Sequence, residues 1–262
     1  MMKSFPRKLR NAIAKVERRA DRLPSGMRRP ALWVAAAGNH LLGSVLRASD
    51  SPDLIALTFD DGPDPEVTPR ILDVLEAHGA RATFFLLTNR AASSPDLVER
   101  LVRAGHEPAL HGVDHHNLTR LPLPEVFRRL RHGRQELERI SSTPIRYFRP
   151  PYGAQGLGTF FLTRALGLQV VLWSVDPQDW KDQQLDALVA TTTSKAGQGD
   201  IVLLHDGYEP NPDHPSPPPT YDRAAALDSV LGHLERSGIR AVTVSELLSA
   251  GGARLRPWFD EG

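Results

Sequence analysis

The chain has 262 residues, of which 40% are hydrophobic and 24% are charged, a composition typical of a soluble globular protein with one large domain. It contains no cysteine, which excludes a disulfide framework, a thiolate metal site and a cysteine nucleophile. A metal bound by this protein must therefore be held by His, Asp or Glu side chains.

Basic residues are concentrated at the start of the chain. Residues 1–31 carry ten Lys or Arg against two acidic residues, a net charge of +8, whereas the whole chain is +1. Such a segment favours an anionic surface, with a solvated helix face as the alternative. The apolar stretch 31–46 is shorter than the roughly 20 residues of a membrane span. We expect it to be a helix that lies on a membrane surface or packs on the folded domain, with an export signal as the alternative.

Peripheral membrane contact through residues 1–46 is therefore predicted, and no nucleic-acid partner is predicted. A nucleic-acid role would show binding that weakens steeply with salt and needs no metal. The predicted location is the membrane or the cell envelope, with the cytoplasm as the alternative.

From residue 54, apolar runs alternate with amphipathic stretches. The predicted strands are 54–59, 82–87, 107–110, 145–148, 168–173, 201–204 and 240–244. The predicted helices lie near 67–78, 94–104, 123–140, 157–166, 183–196 and 222–236, with a short one from 245. This alternation predicts an α/β fold with a parallel sheet, and seven such units indicate a closed or nearly closed barrel. An open doubly wound sheet is the alternative, but no glycine-rich phosphate turn follows the first strand.

The segment from Tyr208 to Tyr221 interrupts this alternation with six prolines. Such a run is incompatible with a helix or a central strand and predicts an extended loop. It follows the sixth strand, on the face where barrel active sites form. We expect a lid or a substrate wall, with an inert insertion as the alternative.

Polar clusters follow five of the predicted strands. They are Asp60-Asp61-Gly62-Pro63, the pair His111 and His115, Arg149-Pro150-Pro151-Tyr152-Gly153, Asp176-Pro177-Gln178-Asp179-Trp180, and His205-Asp206-Gly207. The carboxyl ends of parallel barrel strands meet on one face, so these clusters predict a single site.

The spacing of His111 and His115 lets both imidazoles face one metal ion. A carboxylate from Asp60 or Asp61 would complete a site with open positions, which is typical of a catalytic metal. Zn²⁺ suits these donors best, and Co²⁺ or Ni²⁺ could replace it. The alternative is that these groups only fill loops or cap a turn. His116 is expected to face solvent or to lie behind the ligands.

Together these motifs resemble the polysaccharide deacetylases of carbohydrate esterase family 4, the NodB-homology domain. Thr58-Phe59-Asp60-Asp61-Gly62-Pro63 matches the first family motif, and the other four clusters resemble the remaining motifs in order. The resemblance covers roughly residues 53–250, which leaves 1–52 as an N-terminal extension and 251–262 as a C-terminal tail. It implies a distorted (β/α)7 barrel of parallel strands, similar to a TIM barrel.

The resemblance also implies a role for each residue. Asp61, His111 and His115 would bind the metal, Asp60 would be the catalytic base, and Arg149 would hold Asp60 ionised. His205 would be the general acid, tuned by Asp179, and the backbone N–H of Tyr152 would bind the oxyanion. Trp180 and Leu204 would line the acetyl pocket.

The expected activity is therefore hydrolysis of the linear amide of an N-acetylated sugar in a cell-envelope polysaccharide, peptidoglycan or glycolipid. The alternatives are a deformylase or amidase acting on another sugar amide, and a non-catalytic glycan-binding relative. Gly112 and Asp114 depart from the second family motif, and Asp114 would alter the metal preference or brace a ligand histidine.

Overall fold

The computed structural model describes residues 41–213 and 217–259. The strands are β1 (Gly43–Ala48), β2 (Leu54–Asp60), β3 (Thr83–Leu87), β4 (Glu107–Gly112), β5 (Tyr147–Phe148), β6 (Gln169–Val170), β7 (Ile201–His205), β8 (Arg240–Val242) and β9 (Ala253–Pro257). The α-helices are α1 (Val67–Ala77), α2 (Thr88–Ser93), α3 (Pro95–Arg103), α4 (Leu123–Ser141), α5 (Leu157–Ala165), α6 (Leu185–Lys195), α7 (Arg223–Arg236) and α8 (Val244–Gly251). Within these described ranges, no helix is long and apolar enough to cross a membrane.

Strands β2 to β8 are parallel and form the predicted barrel, in the order β6-β5-β4-β3-β2-β7 with β8 also paired to β2. The barrel is distorted where β6 approaches β7. The predicted strand 168–173 is regular only at Gln169–Val170, because the backbone N–H of Leu172 donates to the carbonyl of Val45 in β1 at 2.8 Å. The chain then joins β7 through a bridge between Val175 and Val202.

Strands β1 and β9 were not among the predicted elements. They pair antiparallel, from Gly43 opposite Pro257 to Ala48 opposite Ala253. The apolar stretch 31–46 was expected to be a helix, but residues 43–46 are strand, because their alternate side chains pack against the barrel while their backbone pairs with β9. Residues 41–42 are helical, and the remainder of that stretch and the basic segment 1–31 lie outside the described residues. The two strands extend the folded unit beyond 53–250 on both sides.

Alternation along the strands separates two layers of side chains. Phe59 and Phe84 face outward and pack under the helices. Ala56 and Phe85 face the barrel interior, together with β1 and α8. Because side chains alternate with a period of two, the residues that face inward at the carboxyl ends of the strands share one mouth. This layering determines which predicted site residues meet.

The remaining predicted helices form within a few residues of their expected ends. The predicted helix 94–104 is α3, and a further short helix, α2, directly follows β3. The described parts of the Pro-rich segment, 208–213 and 217–221, contain neither helix nor strand, as predicted.

Candidate metal and catalytic site

Two adjacent carboxylates end β2 and face the same pocket. Asp60 is the last residue of the strand, and Asp61 adopts a left-handed backbone with φ 73°. A strand would send consecutive side chains to opposite faces, so this turn is what brings both carboxylates together. Both are buried, with Asp60 2% and Asp61 4% exposed.

Asp61 meets the two predicted histidines. Its Oδ1 lies 3.4 Å from Nε2 of His111 and 3.4 Å from Nε2 of His115, and the three ligand atoms lie within 4.8 Å of one another. The sequence left Asp60 and Asp61 as equal candidates for the carboxylate. The structure brings Asp61 to both histidines, whereas Oδ2 of Asp60 is 3.9 Å from His111 alone.

The protonation of this cluster suits a divalent cation. Nδ1 of His111 donates to the carbonyl oxygen of Arg149 at 2.8 Å, which fixes the ring with Nε2 facing Asp61. Burial lowers the pKa of His115 to about 4, so that ring is neutral at pH 7. Burial alone would raise the pKa of Asp61, but contact with His111 and the electrostatic influence of the neighbouring imidazoles, among them protonated His205, lower it, so Asp61 stays ionised. Oδ1 of Asp61 is buried without a hydrogen-bond partner among the described residues. These donors fit a bound metal.

The ring of His115 is held from one side by Tyr152, with ring centroids 4.3 Å apart. Gly112 has φ 137°, and an added Cβ would lie 2.9 Å from the carbonyl oxygen of Asp114. A side chain is therefore strained at this position, which explains the glycine in the second motif.

Asp114 does not brace a ligand histidine, and that prediction was wrong. Its carboxylate is instead bonded to Arg129 and, at 2.8 Å, to Nδ1 of His116. The side chain of His116 is 65% exposed, as expected for a residue that faces solvent.

Asp60 is bound by a fully buried arginine. Nη1 of Arg149 donates to Oδ1 of Asp60 at 2.6 Å and to Oγ1 of Thr58 at 2.8 Å. Nε and Nη2 donate to the carbonyls of Val171 and Leu172. The guanidinium also lies over the ring of Phe85, 4.0 Å from its centroid. The bond to Arg149 engages Oδ1 of Asp60 and leaves Oδ2 on the side of His111.

His205 forms a second charged pair at the end of β7, the strand next to β2, where it is the register partner of Asp60. Its Nδ1 lies 2.6 Å from Oδ1 of Asp179, whose Oδ2 accepts from the backbone N–H of His205 at 2.7 Å. Burial alone would lower the pKa of His205, but Asp179 outweighs it and raises that pKa to about 9. The imidazole is therefore protonated at neutral pH. The hydroxyl of Tyr221 donates to the carbonyl of Asp179 and fixes this loop.

A cavity of about 510 Å³ contains these groups. Its lining includes Asp60, Asp61, His111, His115, Tyr152, Trp173, Trp180, Leu203 and His205. Leu204 was predicted to line the acetyl pocket, but it faces outward and packs under the helices. Leu203 takes that place because it shares a strand face with His205.

The Pro-rich segment forms one wall of this cavity through Tyr208, Glu209 and Asn211. Arg90 holds the segment by donating to the carbonyl of Tyr208 at 2.8 Å and by pairing with Glu209 at 2.7 Å. The wall is therefore fastened to α2, the short helix that follows β3.

Sequence reasoning assigned no role to a buried pair beneath the site. Oγ1 of Thr68 donates to Oδ2 of Asp206 at 2.6 Å, and both side chains are fully buried. The backbone N–H of Asp206 also donates to the carbonyl of Asp60 at 3.2 Å. Asp206 follows His205 directly, but no local pattern shows that Thr68 reaches it across 138 residues.

Comparison with known proteins agrees with this geometry. Residues 47–171 match the sequence profile of the polysaccharide deacetylase family. The chain is 38% identical over 200 residues to a peptidoglycan-N-acetylglucosamine deacetylase of Bacillus cereus, covering 74% of this chain and 88% of that protein. It is 35% identical to a chitooligosaccharide deacetylase of Bradyrhizobium sp., covering 74% of this chain and 90% of that protein.

Among solved structures, the Bc1960 peptidoglycan N-acetylglucosamine deacetylase superposes with a TM-score of 0.73 at 29% identity. That match covers 84% of this chain and 99% of the other. Sequence identity, the barrel and the Asp-His-His cluster all indicate the same relationship, and the chain belongs to the polysaccharide deacetylase family.

Proposed function

We propose that this protein is a metal-dependent hydrolase that removes N-acetyl groups from an N-acetylated sugar. The observation that carries the proposal is one cavity that holds three sets of groups. These are the cluster Asp61, His111 and His115, then Asp60 with its ion-pair partner Arg149 outside the lining, and His205 with its partner Asp179 outside the lining. Amide hydrolysis needs a site for an ion that polarises the carbonyl, a base and an acid, and these sets supply all three.

Asp61, His111 and His115 would hold one divalent ion, with Zn²⁺ favoured by two imidazoles and one carboxylate and with Co²⁺ or Ni²⁺ as alternatives. When bound, such an ion polarises the amide carbonyl and lowers the pKa of water from about 15.7 to about 7. The carbonyl of Arg149 orients His111, and Tyr152 packs on His115, so both rings are aimed before a ligand binds.

Asp60 would be the catalytic base. Arg149 donates to Oδ1, and Oδ2 remains to take a proton from the attacking water. The backbone N–H of Tyr152 would donate to the oxyanion, since the left-handed backbone of that residue, with φ 60°, lies in the lining of the same cavity.

His205 would be the general acid. Its Nδ1 is engaged by Asp179, so the proton on Nε2 is the one available to the leaving amine. Because the pKa of His205 is about 9, the acid is present in its protonated form at neutral pH.

The acceptor is an N-acetylated glycan. Relatives named as peptidoglycan and chitooligosaccharide deacetylases support N-acetylglucosamine as the sugar. Trp180, with 38% of its surface exposed, contributes an aromatic ring to the lining of the cavity. A deformylase would need only a smaller acyl pocket, and a non-catalytic binding relative would need none of the charged pairs that this cavity retains.

Acetate release from N-acetylglucosamine oligomers tests the proposal. The purified protein is stripped of metal and assayed alone, then with Zn²⁺, Co²⁺ or Ni²⁺. We expect activity to return with metal and to be lost in His111→Ala.

The matched control is His116→Ala, because His116 is exposed and belongs to no ligand set. It should retain wild-type activity and metal content. Formate release from N-formylated oligomers, together with no acetate release from the N-acetylated oligomers, would identify a deformylase. Metal binding without release of either acid would favour the non-catalytic relative.

A further inference from the structure

A second cavity, of about 440 Å³, adjoins the catalytic cavity. The two share Trp173 and Asp176 in their linings. Much of the remaining lining comes from β1 and β9, including Arg47, Arg254, Arg256 and the following Trp258. A group bound there would therefore lie next to a sugar held in the catalytic cavity.

The arginines of this cavity are placed together by strand pairing. Arg47 and Arg254 are directly opposite each other in the register of β1 and β9, and Arg256 lies two residues from Arg254 on the same strand face. Like charges opposite each other on paired strands are destabilising. Folding alone would disfavour this cluster of arginines. The cluster therefore indicates a ligand whose negative charge compensates the positive charge of the arginines.

Protein carboxylates only partly compensate these arginines. Nη1 of Arg47 pairs with Asp200 at 3.4 Å. Among the described residues, Arg254 and Arg256 have no carboxylate within 4.0 Å, and both are exposed. Asp176 lies at the junction with the catalytic cavity, where its carboxylate accepts from the backbone N–H of Gln178 at 2.7 Å. The cluster stays net positive, although residues 32–262 together carry a net charge of −7.

The floor of the cavity is rigid and aromatic. Trp173 and Trp258 lie with ring centroids 5.9 Å apart, and Nε1 of Trp258 donates to the carbonyl of Gly153 at 3.0 Å. Indole faces beside guanidinium groups suit a sugar ring that carries an anionic substituent.

We propose that this cavity, the arginine subsite, binds an anionic substituent of the glycan acceptor while the neighbouring N-acetyl sugar occupies the catalytic cavity. The proposal deepens the proposed deacetylase function and rests on it. The ligand chemistry is a carboxylate or phosphate one sugar away from the acetamido group that is hydrolysed.

Three acceptors of equal length test this subsite with the full-length metal-loaded enzyme. One is a neutral N-acetylglucosamine tetramer, one contains a muramic acid and so carries a carboxylate, and one carries a phosphate monoester. The variant is Arg254→Gln/Arg256→Gln, with Arg254→Lys/Arg256→Lys as the charge-preserving variant. The control is Arg103→Gln/Arg139→Gln, which removes two exposed charges that line neither cavity.

We expect the Gln variant to lose roughly tenfold in kcat/KM on an anionic acceptor, mainly through KM, because the subsite is away from the reacting atoms. The neutral tetramer should be unaffected. The Lys variant should recover most of the lost kcat/KM. The preference of the wild-type enzyme for the anionic acceptor over the neutral one should decline as salt is added. The anionic acceptor that shows this dependence identifies the substituent as carboxylate or phosphate.

Equal losses on neutral and anionic acceptors would overturn the subsite in favour of a structural role. Unchanged kinetics on all three acceptors would also overturn it. Calorimetric binding of the same oligosaccharides separates the two proposals. A wild-type enzyme that releases no acetate but binds the anionic oligosaccharide through Arg254 and Arg256 would refute the deacetylase and leave the subsite standing.

Discussion

At the scale of single residues, Asp60 and Asp61 differ only in their partners. Oδ1 of Asp60 receives a buried guanidinium, and Oδ1 of Asp61 faces two imidazole nitrogens. In the proposed mechanism, these different neighbours suit Asp60 to accept a proton and Asp61 to bind the metal.

Exchange of each carboxylate for its amide separates these roles. Asp60→Asn should lower kcat by about 10²–10⁴-fold, the usual contribution of a general base, while the metal stays bound. Asp61→Asn should lower metal affinity, since it replaces the carboxylate ligand with a neutral amide. Metal content measured by atomic emission, together with kcat, distinguishes them. Loss of metal in Asp60→Asn with retention in Asp61→Asn would show that the two assignments must be exchanged.

The contact between His205 and Asp179 predicts how kcat depends on pH in the alkaline range. The acid must be protonated, so kcat should fall as pH rises through about 9, the pKa of His205. Asp179→Asn removes the main group that raises this pKa, and the fall should move to lower pH by at least about one unit. The control Asp182→Asn changes an exposed carboxylate bonded to Thr220 and should leave the profile unchanged. An unshifted profile in Asp179→Asn would assign the alkaline limb to another group.

The same pair also predicts how the stability of the folded protein changes with pH. The pKa of His205 is raised from 6.5 in the unfolded chain to about 9 in the folded protein. Its contribution to stability is therefore fully present below pH 6.5 and is lost as pH rises through about 9.

At the scale of elements, the turn after β2 is fixed from below by Asp206. A Cβ added to Gly62 would lie 2.1 Å from Oδ2 of Asp206, and Thr68 holds that carboxylate in place. Gly62→Ala should therefore destabilise the metal-free protein by about 2–3 kcal/mol through overpacking and should weaken metal binding by the adjacent Asp61.

Denaturant unfolding and metal titration measure both effects of Gly62→Ala. Gly156→Ala is the matched control, because a Cβ there would approach nothing closer than Oγ1 of Thr159 at 3.9 Å. A Gly62→Ala protein as stable as Gly156→Ala would mean that Asp206 can move aside. The turn would then not be held by this contact.

Local sequence patterns were sufficient to predict most of the strands and helices of this fold. The apolar runs of the strands and the amphipathic stretches of the helices are local signals, and the motif residues follow from them. Leu204 was misplaced by one position, because a run of four apolar residues in β7 does not show which face is inward. The partnership of Thr68 with Asp206 depends on packing between distant segments, which no local pattern encodes.

At the scale of the whole molecule, the ends of the described chain complete the barrel. Strand β1 fills the gap beside β6, and β9 pairs with β1, so closure depends on residues at both ends. Short strands with alternating arginines, such as β9, lack the apolar run by which the other strands were predicted. Phe259 continues from β9 into the main core, edge-on to Phe160 with ring centroids 5.7 Å apart.

Phe259→Ala should therefore lower the free energy of unfolding by about 3–5 kcal/mol, the cost of removing a buried aromatic ring. Phe259 is 3% exposed, whereas Phe161 on α5 is 49% exposed, so Phe161→Ala is the matched control and should cost much less. Equilibrium denaturation of both variants at constant metal content checks this. Equal, small losses would show that the C-terminal segment packs on a barrel that is stable without it, and the barrel closure would then depend on β1 alone.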